Sequence, residues 1–381
     1  MVCWRLVCVP LVAVAACAQP VFQQTDVFRA GAEGYHTFRI PAIVAAADGS
    51  LVAFAEARKE NQSDPGGGDI DLVSKRSSNG GLTWSALQLV DDPGERWGAS
   101  NPTPVLDRSK GRLWILFNRW EPGFGTERSQ PGASNNQAWA RYSDDHGRSW
   151  SAPRDLTRFA RDYDNWGAMF LGPGGAIQTQ SGRLLAPAAM RPDTYRLWIA
   201  TPGFDGPALL MRAYAFYSDD HGATWRRGQL LKAQTDENQL VELADGAILM
   251  DARQGMGPHR WLGFSHDGGQ SWSNPLAGQE VTPICAAIER WTLASGSDGR
   301  NRILWTGPAG PARKRLVARI SYDEGQTFAA EKDIYGGLAA YSDIAILRDG
   351  TAGVLWERGV SAGYQYITFT RFDLAFVETP R

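Results

Sequence analysis

Five segments of the chain repeat one eight-residue pattern: SSNGGLTW (77–84), SDDHGRSW (143–150), SDDHGATW (218–225), SHDGGQSW (265–272) and SYDEGQTF (321–328). Each opens on Ser, carries Asp or Asn two residues on and Gly two further, and closes on Ser or Thr and an aromatic. The first has Asn79 in place of Asp, and the last has Phe328 in place of Trp. This is the chemistry of a tight turn. The Asp or Asn side chain folds onto the turn's own backbone, Gly accepts positive φ, and the aromatic plugs into the neighbouring hydrophobic layer. An apolar strand-like run precedes each box: DIDLVSKR, QAWARY, MRAYAFY, RWLGFS and LVARIS. Each box is therefore expected to be a hairpin turn within a small antiparallel sheet.

The box starts lie 66, 75, 47 and 56 residues apart, a loose period near the length of a four-stranded blade. Setting aside the first 18 of 381 residues leaves enough chain for about six such units. The expected fold is all-β: a six-bladed β-propeller of four-stranded antiparallel blades, forming one domain over 19–381. Fifteen Trp and 42 Gly fit short strands joined by tight turns. No segment keeps a 3.6-residue apolar rhythm for three turns, so long helices find no support. A net charge of −2 without a basic run argues against nucleic acid as a partner.

The N-terminus, MVCWRLVCVPLVAVAACAQP, has one Arg and then an apolar run over 6–16, too short to span a bilayer. It reads as a signal peptide over 1–18, cut after the Ala16-Cys17-Ala18 pattern. The stretch Val14-Ala15-Ala16-Cys17 equally resembles a lipobox, in which case the signal ends before Cys17 and a lipid anchor sits on that residue. Either way the expectation is export: a periplasmic, secreted or outer-membrane lipoprotein of a bacterium. Three of four Cys lie in this segment, leaving Cys285, so no internal disulfide is expected. Five His are scattered without metal-ligand spacing. The Gly-rich stretches DPGGGD (64–69) and GPGG (172–175) lack a following Gly-Lys-Ser/Thr. No metal or organic cofactor is expected.

Arg39 is the first functional signal. It interrupts the apolar stretch GYHTFRIPAIV (34–44), where Phe38, Ile40, Ile43 and Val44 suit a packed strand and Pro41 points to an edge or a bulge. A guanidinium cannot shed its charge, so Arg39 must reach solvent or meet an anion.

FRIP followed by several S-x-D-x-G-x-T-W boxes resembles the sialidases (exo-α-neuraminidases) of the six-bladed propeller type, over roughly 22–357. The resemblance implies that three arginines from separate blades clamp the carboxylate of sialic acid. Arg39 is the first. Arg253, ending ENQLVELADGAILMDAR, is the second. The third lies in ARKRLVARISYDEG, where Arg313 fits best and Arg315 is the rival. Planar guanidinium forks suit a carboxylate that stays ionised. Glu357 in VLWERG matches the glutamate that orients the first arginine.

The substrate's own negative charge disfavours a carboxylate nucleophile, and sialidases use tyrosine instead. Tyr341 in LAAYSDIAILRDG holds that place, with Tyr335 as rival. A phenol, with an ordinary pKa of about 10, needs a base beside it. The resemblance assigns Glu237 in DENQLVE, sixteen residues before Arg253. Glu242 is the local alternative, better suited to its hairpin turn.

The acid/base is expected to be an aspartate on a mobile loop. EARKENQSDPGGGDID offers Asp64, Asp69 and Asp71. The resemblance, through the family's spacing from the arginine that Arg58 matches, implies Asp64, leaving the other two to begin the next strand. Glycines 66–68 would let the loop close over substrate. Arg58 resembles the contact to the sugar's 4-position. Asn101 in SNPTPVLD stands where some members place a pocket aspartate, which leaves the 4- and 5-substituent contacts open. The implied activity is retaining hydrolysis of terminal α-linked sialic acids from sialylated glycans. The alternatives are a trans-sialidase, a hydrolase of another 2-keto sugar acid, and a non-catalytic glycan-binding propeller. The last has no use for Tyr341, Glu237 and Asp64 together.

Overall fold

All five boxes form the hairpin turns their composition demands. In each, the opening Ser hydroxyl donates to the Asp or Asn side chain two residues on, at 2.7–2.9 Å. The same hydroxyl accepts from the box Gly N–H at 2.8–2.9 Å. Glycine is required there for packing as well as for φ. Gly222 has φ of 86°, and a Cβ on it would lie 2.5 Å from the Trp114 ring of the preceding blade. The closing aromatics pack as expected: Trp84 meets Phe369 edge-on, Trp150 meets Phe54, and Phe328 meets Trp305.

The computed structural model describes residues 19–193, 211–255, 257–296 and 298–379. The leader, with its cleavage and Cys17 anchor alternatives, lies outside them. Among the described residues the strands form sheets of eight, five, four and seven, which divide into six antiparallel four-stranded blades, with one parallel bridge, Ile70 to Gly98, between the first two. Blade 1 holds Thr37–Ala45, Leu51–Arg58, Ile70–Ser77 and Gln88–Asp91, and blade 2 holds Gly98–Asp107, Arg112–Trp120, Asn136–Ser143 and Arg154–Asp155. Blade 3 holds Trp166–Leu171, Leu184–Pro192, Arg212–Ser218 and Arg226–Arg227, with Ile177–Gln178 added beside its second strand. Blade 4 holds Thr235–Glu242, Ile248–Gln254, His259–Ser265 and Leu276–Glu280.

Blades 5 and 6 share one long strand, Ala330–Ile346. Its first half pairs with Lys314–Ser321 and completes blade 5, after Ala287–Thr292 and Arg302–Pro308. Its second half pairs with Ala352–Gly359 and opens blade 6. That blade continues through Tyr366–Phe372 and is completed by the N-terminal strand Phe22–Arg29, which closes the ring. Because the fourth strand comes from the other end of the chain, blade 6 has no turn in which a box can sit. Six blades therefore carry five boxes.

The core is the set of seams between neighbouring blades. Separate hydrophobic clusters join blades 1 and 2 (Phe54, Phe117), 2 and 3 (Trp114, Phe216), and 3 and 4 (Leu185, Met250). Others join 4 and 5 (Leu249, Trp305), 5 and 6 (Leu304, Trp356), and 6 and 1 (Phe369, Ala55). On the axis, Asp343 of blade 6 accepts from Ile43 N of blade 1 at 2.8 Å and from Gln239 Nε2 of blade 4 at 3.0 Å. Burial pushes its carboxyl up to about 7.

Inner strands bulge where the candidate residues lie. Pairing slips between Arg39 and Ala42, between Ser100 and Thr103, between Thr235 and Asn238, and between Ala339 and Ser342. A bulge re-aims side chains. Ile40 and Asn101 take φ of 56° and 53° within two of them. The edge or bulge read from Pro41 is both.

Candidate active site

The bulged segments bring Arg39, Glu237 and Tyr341 together at one mouth of the central channel. The Tyr341 hydroxyl donates toward Glu237, 2.6 Å from Oε1 and 2.8 Å from Oε2. Arg253 Nη1 donates to Glu237 Oε2 at 2.6 Å and to the Tyr341 oxygen at 3.1 Å. Arg39 and Arg313 stand 5.7 and 5.6 Å from the Tyr341 ring centre. All three arginines thus surround one tyrosine. The ring itself is buried with Ile40, Ile284, Cys285 and Ala340.

Glu357 holds the first arginine. Its carboxylate accepts from Arg39 Nε at 2.6 Å and from Ile40 N at 2.9 Å, and from Tyr341 N at 3.3 Å. One buried acid therefore fixes the clamp and the tyrosine backbone together. Burial alone would lower the Arg39 guanidinium, but Glu357 reverses this and raises it above its ordinary value. Tyr341 is pushed well above the usual phenol range by burial and then by Glu237, against the pull of Arg253.

Across the mouth, Arg58 is buried on Glu56, with Nη2 at 2.6 Å from Oε2. Its Nη1 reaches Asp64 Oδ1 at 3.1 Å, and Asp64 Oδ1 lies 3.9 Å from Arg39 Nη1. The Asp64 side chain is 83% exposed, open to whatever enters the mouth. Asn101 stands one contact away: its N–H donates to Glu56 Oε1 at 3.0 Å, while its side-chain Nδ2 donates to Leu171 O at 2.8 Å.

A BNR repeat-like domain model matches residues 49–354. The sequence is 30% identical over 378 residues to a sialidase of Micromonospora viridifaciens, covering 94% of this chain and 55% of that protein. The chain belongs to the sialidase family with BNR repeats. It is 25% identical to a sialidase of Bacteroides fragilis, over 87% of this chain and 62% of that one. It therefore spans little more than half the length of these sialidase relatives. Among solved structures, the Hadza microbial sialidase Hz136 superposes with a TM-score of 0.80 at 22% identity, over 92% of this chain and 68% of that one. This second likeness is one of fold, the sialidase β-propeller.

Within the sialidase fold, the rivals named from sequence separate by their partners. Arg315 turns away into an ion pair with Glu331 at 2.5 Å and Asp333 at 2.9 Å. Arg313 has no carboxylate counter-ion among the described residues and donates to Tyr364 Oη at 2.8 Å. Tyr335 donates to Gly359 O at 3.0 Å and packs on Trp356. Glu242 accepts from Gln180 N at 2.8 Å, and it lines a cavity of about 420 Å3 at the opposite end of the channel. Asp69 and Asp71 sit with Asp92 around the Lys59 ammonium at 3.0, 2.9 and 3.7 Å, so a side chain supplies the cation of this acidic cluster.

Three residues of this cluster escaped the sequence reading. Glu56 had a signal: it is two residues before Arg58 on one strand, hence on the same face. Asp236 precedes Glu237 and lies 3.6 Å from Arg253 Nε; burial and then Glu237 push its carboxyl up to about 6. Tyr364 had none. Its ring lies 3.7 Å from the Arg39 guanidinium and its hydroxyl meets Arg313, so it braces both arginines from a loop without periodicity.

Proposed function

We propose that this chain is an exo-α-sialidase, releasing terminal α-ketosidically linked sialic acids from glycans with retention of configuration. The observation that carries it is the ring of three arginines around a tyrosine already hydrogen-bonded to a carboxylate. Arg39, Arg253 and Arg313 seat the substrate carboxylate, oriented by Glu357 and Tyr364. Tyr341 Oη attacks the anomeric carbon as its proton passes to Glu237, and the developing phenolate faces the Arg253 guanidinium. Asp64 protonates the departing glycosidic oxygen. It then takes a proton from the water that displaces Tyr341. Arg58 meets the 4-position, with Asn101 beside it through Glu56. Export behind the leader, with or without a lipid on Cys17, belongs to the same reading, since such glycans lie outside the cell.

Incubation with 3′-sialyllactose is expected to release free sialic acid, first as the α-anomer by NMR. Transfer to added lactose in place of water makes the chain a trans-sialidase. Binding without turnover leaves a glycan-binding propeller.

Arg313→Lys is expected to weaken sialosides and carboxylate-bearing inhibitors together. A fork becomes a point charge, and loss of a charge-assisted bidentate contact costs on the order of 1.5–3 kcal/mol, about tenfold to a hundredfold in affinity. Arg315→Lys exchanges one surface ion pair for another and should bind as wild type. The reverse pattern moves the third clamp position to Arg315.

A further inference from the structure

We propose that the acid loop is seated by backbone contact on the neighbouring loop of blade 2, with Gly66 and Gly125 as positioning residues for Asp64; this rests on the role given to Asp64 above. Among the described residues the exposed Asp64 side chain has only Arg58 at 3.1 Å and Arg39 at 3.9 Å beside it, so its reach is set by the loop that carries it. At the base, Lys59 N donates to Asp69 O at 3.0 Å. Midway, Arg58 Nη1 donates to Gln62 O at 2.5 Å. A turn closed by Gly67 N donating to Asp64 O at 3.0 Å then carries Gly66 outward.

Gly66 meets the other loop main chain to main chain. Its carbonyl accepts from Gly123 N at 2.8 Å. A Cβ on Gly66, where φ is 88°, would lie 2.6 Å from Gly125 N and 2.7 Å from Phe124 C. Looking the other way, a Cβ on Gly125 would lie 2.9 Å from Pro65 O. Neither side has a flexible side chain that can step aside. Gly66, one of the glycines expected to let this loop close, also lets it meet its neighbour main chain to main chain.

The docking surface is itself built to stay in place. Loop 121–135 is held from beneath by two buried guanidiniums. Arg161 donates to the carbonyls of Gln130, Ala133 and Asn136, and Arg191 to those of Thr126 and Ser129. Burying cations costs free energy, which hydrogen bonds to carbonyls offset. Four of these, on Thr126, Ser129, Gln130 and Ala133, are made only while the loop keeps its shape. Others come from Asn136, Trp166, Gly167 and Pro192 outside it. Arg161 and Arg191 therefore fix the platform, the platform fixes Gly66, and Gly66 fixes Asp64.

The test separates positioning from stability by leaving group. In Gly66→Ala and Gly125→Ala, kcat/KM for 3′-sialyllactose should fall about 10²-fold, the scale of a displaced catalytic group. An aryl sialoside with an activated phenol should lose less than about threefold, because it departs with little help from an acid. Affinity for a 2,3-dehydro sialic acid inhibitor should stay at wild type, since the clamp is untouched. Gly125 has no positive φ, so its Ala variant keeps the test sound if Gly66→Ala folds poorly. Gly68→Ala is the control: its Cβ would rest 3.7 Å from the Asn61 side chain, ordinary contact, and the substrate ratio should not change. Equal losses on both substrates, or an unchanged ratio, overturn the seat while leaving Asp64→Ala leaving-group dependent. If Asp64→Ala itself shows no such dependence, the acid assignment falls and takes the seat with it.

Discussion

Tyr341→Phe should fold, bind a carboxylate-bearing inhibitor and lose roughly 10³-fold or more in kcat/KM on 3′-sialyllactose, the scale on which removal of a nucleophile registers. The separation follows from what each part of the side chain does. The ring packs against Ile40, Ile284, Cys285 and Ala340, and phenylalanine keeps that packing. Only the hydroxyl meets Glu237 and Arg253, and those two remain paired with each other at 2.6 Å after it is gone. No buried charge is left alone, so the stability loss should be small. A fluorosialyl mechanism-based reagent should mark Tyr341 in the wild-type chain, read by peptide mass mapping. Label on Glu237 would make the carboxylate the nucleophile. Label on Tyr335 would contradict the hydrogen bond that holds its hydroxyl on Gly359, away from the mouth.

Local patterns made the scaffold legible. A box needs only its own eight residues, because the Ser–Asp–Gly hydrogen bonds close within the turn. Five boxes therefore announced five blades. The sixth followed from the chain length left over, and it carries no box because Phe22–Arg29 supplies its last strand from the far end of the chain. Tyr341, Glu237 and the three arginines stood out only as an ordered set; alone, Tyr341 reads as core and Arg253 as a strand cation. Arg313 and Arg315 are two residues apart and both suit the motif. Their difference lies in Glu331 and Asp333, which claim Arg315 across a strand pair that local sequence does not announce. Tyr364 joins the clamp by standing against Arg39 from 325 positions away, in a loop whose shape no periodicity encodes. Asn101 shows the limit from the other side. Its position by the pocket was read, but the side-chain bond to Leu171 belongs to a contact between blades.

Asp64→Ala should cost roughly 10²- to 10⁴-fold in kcat/KM on 3′-sialyllactose and far less on an aryl sialoside. A galactose alkoxide is a poor leaving group and needs the proton as the bond breaks, whereas an activated phenol leaves largely unaided. Two other aspartates stand within seven residues, and their surroundings predict a different result. Asp69 and Asp71 bind the Lys59 ammonium at 3.0 and 2.9 Å, and Asp71 also accepts from Tyr35 Oη at 2.7 Å. Removing either unbalances a part-buried charge cluster at the base of the loop, so Asp69→Ala and Asp71→Ala should lower the Tm and reduce both substrates alike. Asp64, exposed and held only through Arg58 and Arg39, should leave the Tm near wild type. The decisive quantity is the ratio of kcat/KM for sialyllactose to that for the aryl sialoside, measured in all three variants. A ratio that collapses in Asp69→Ala and holds in Asp64→Ala would make Asp69 the acid, and the Lys59 cluster a means of tuning it.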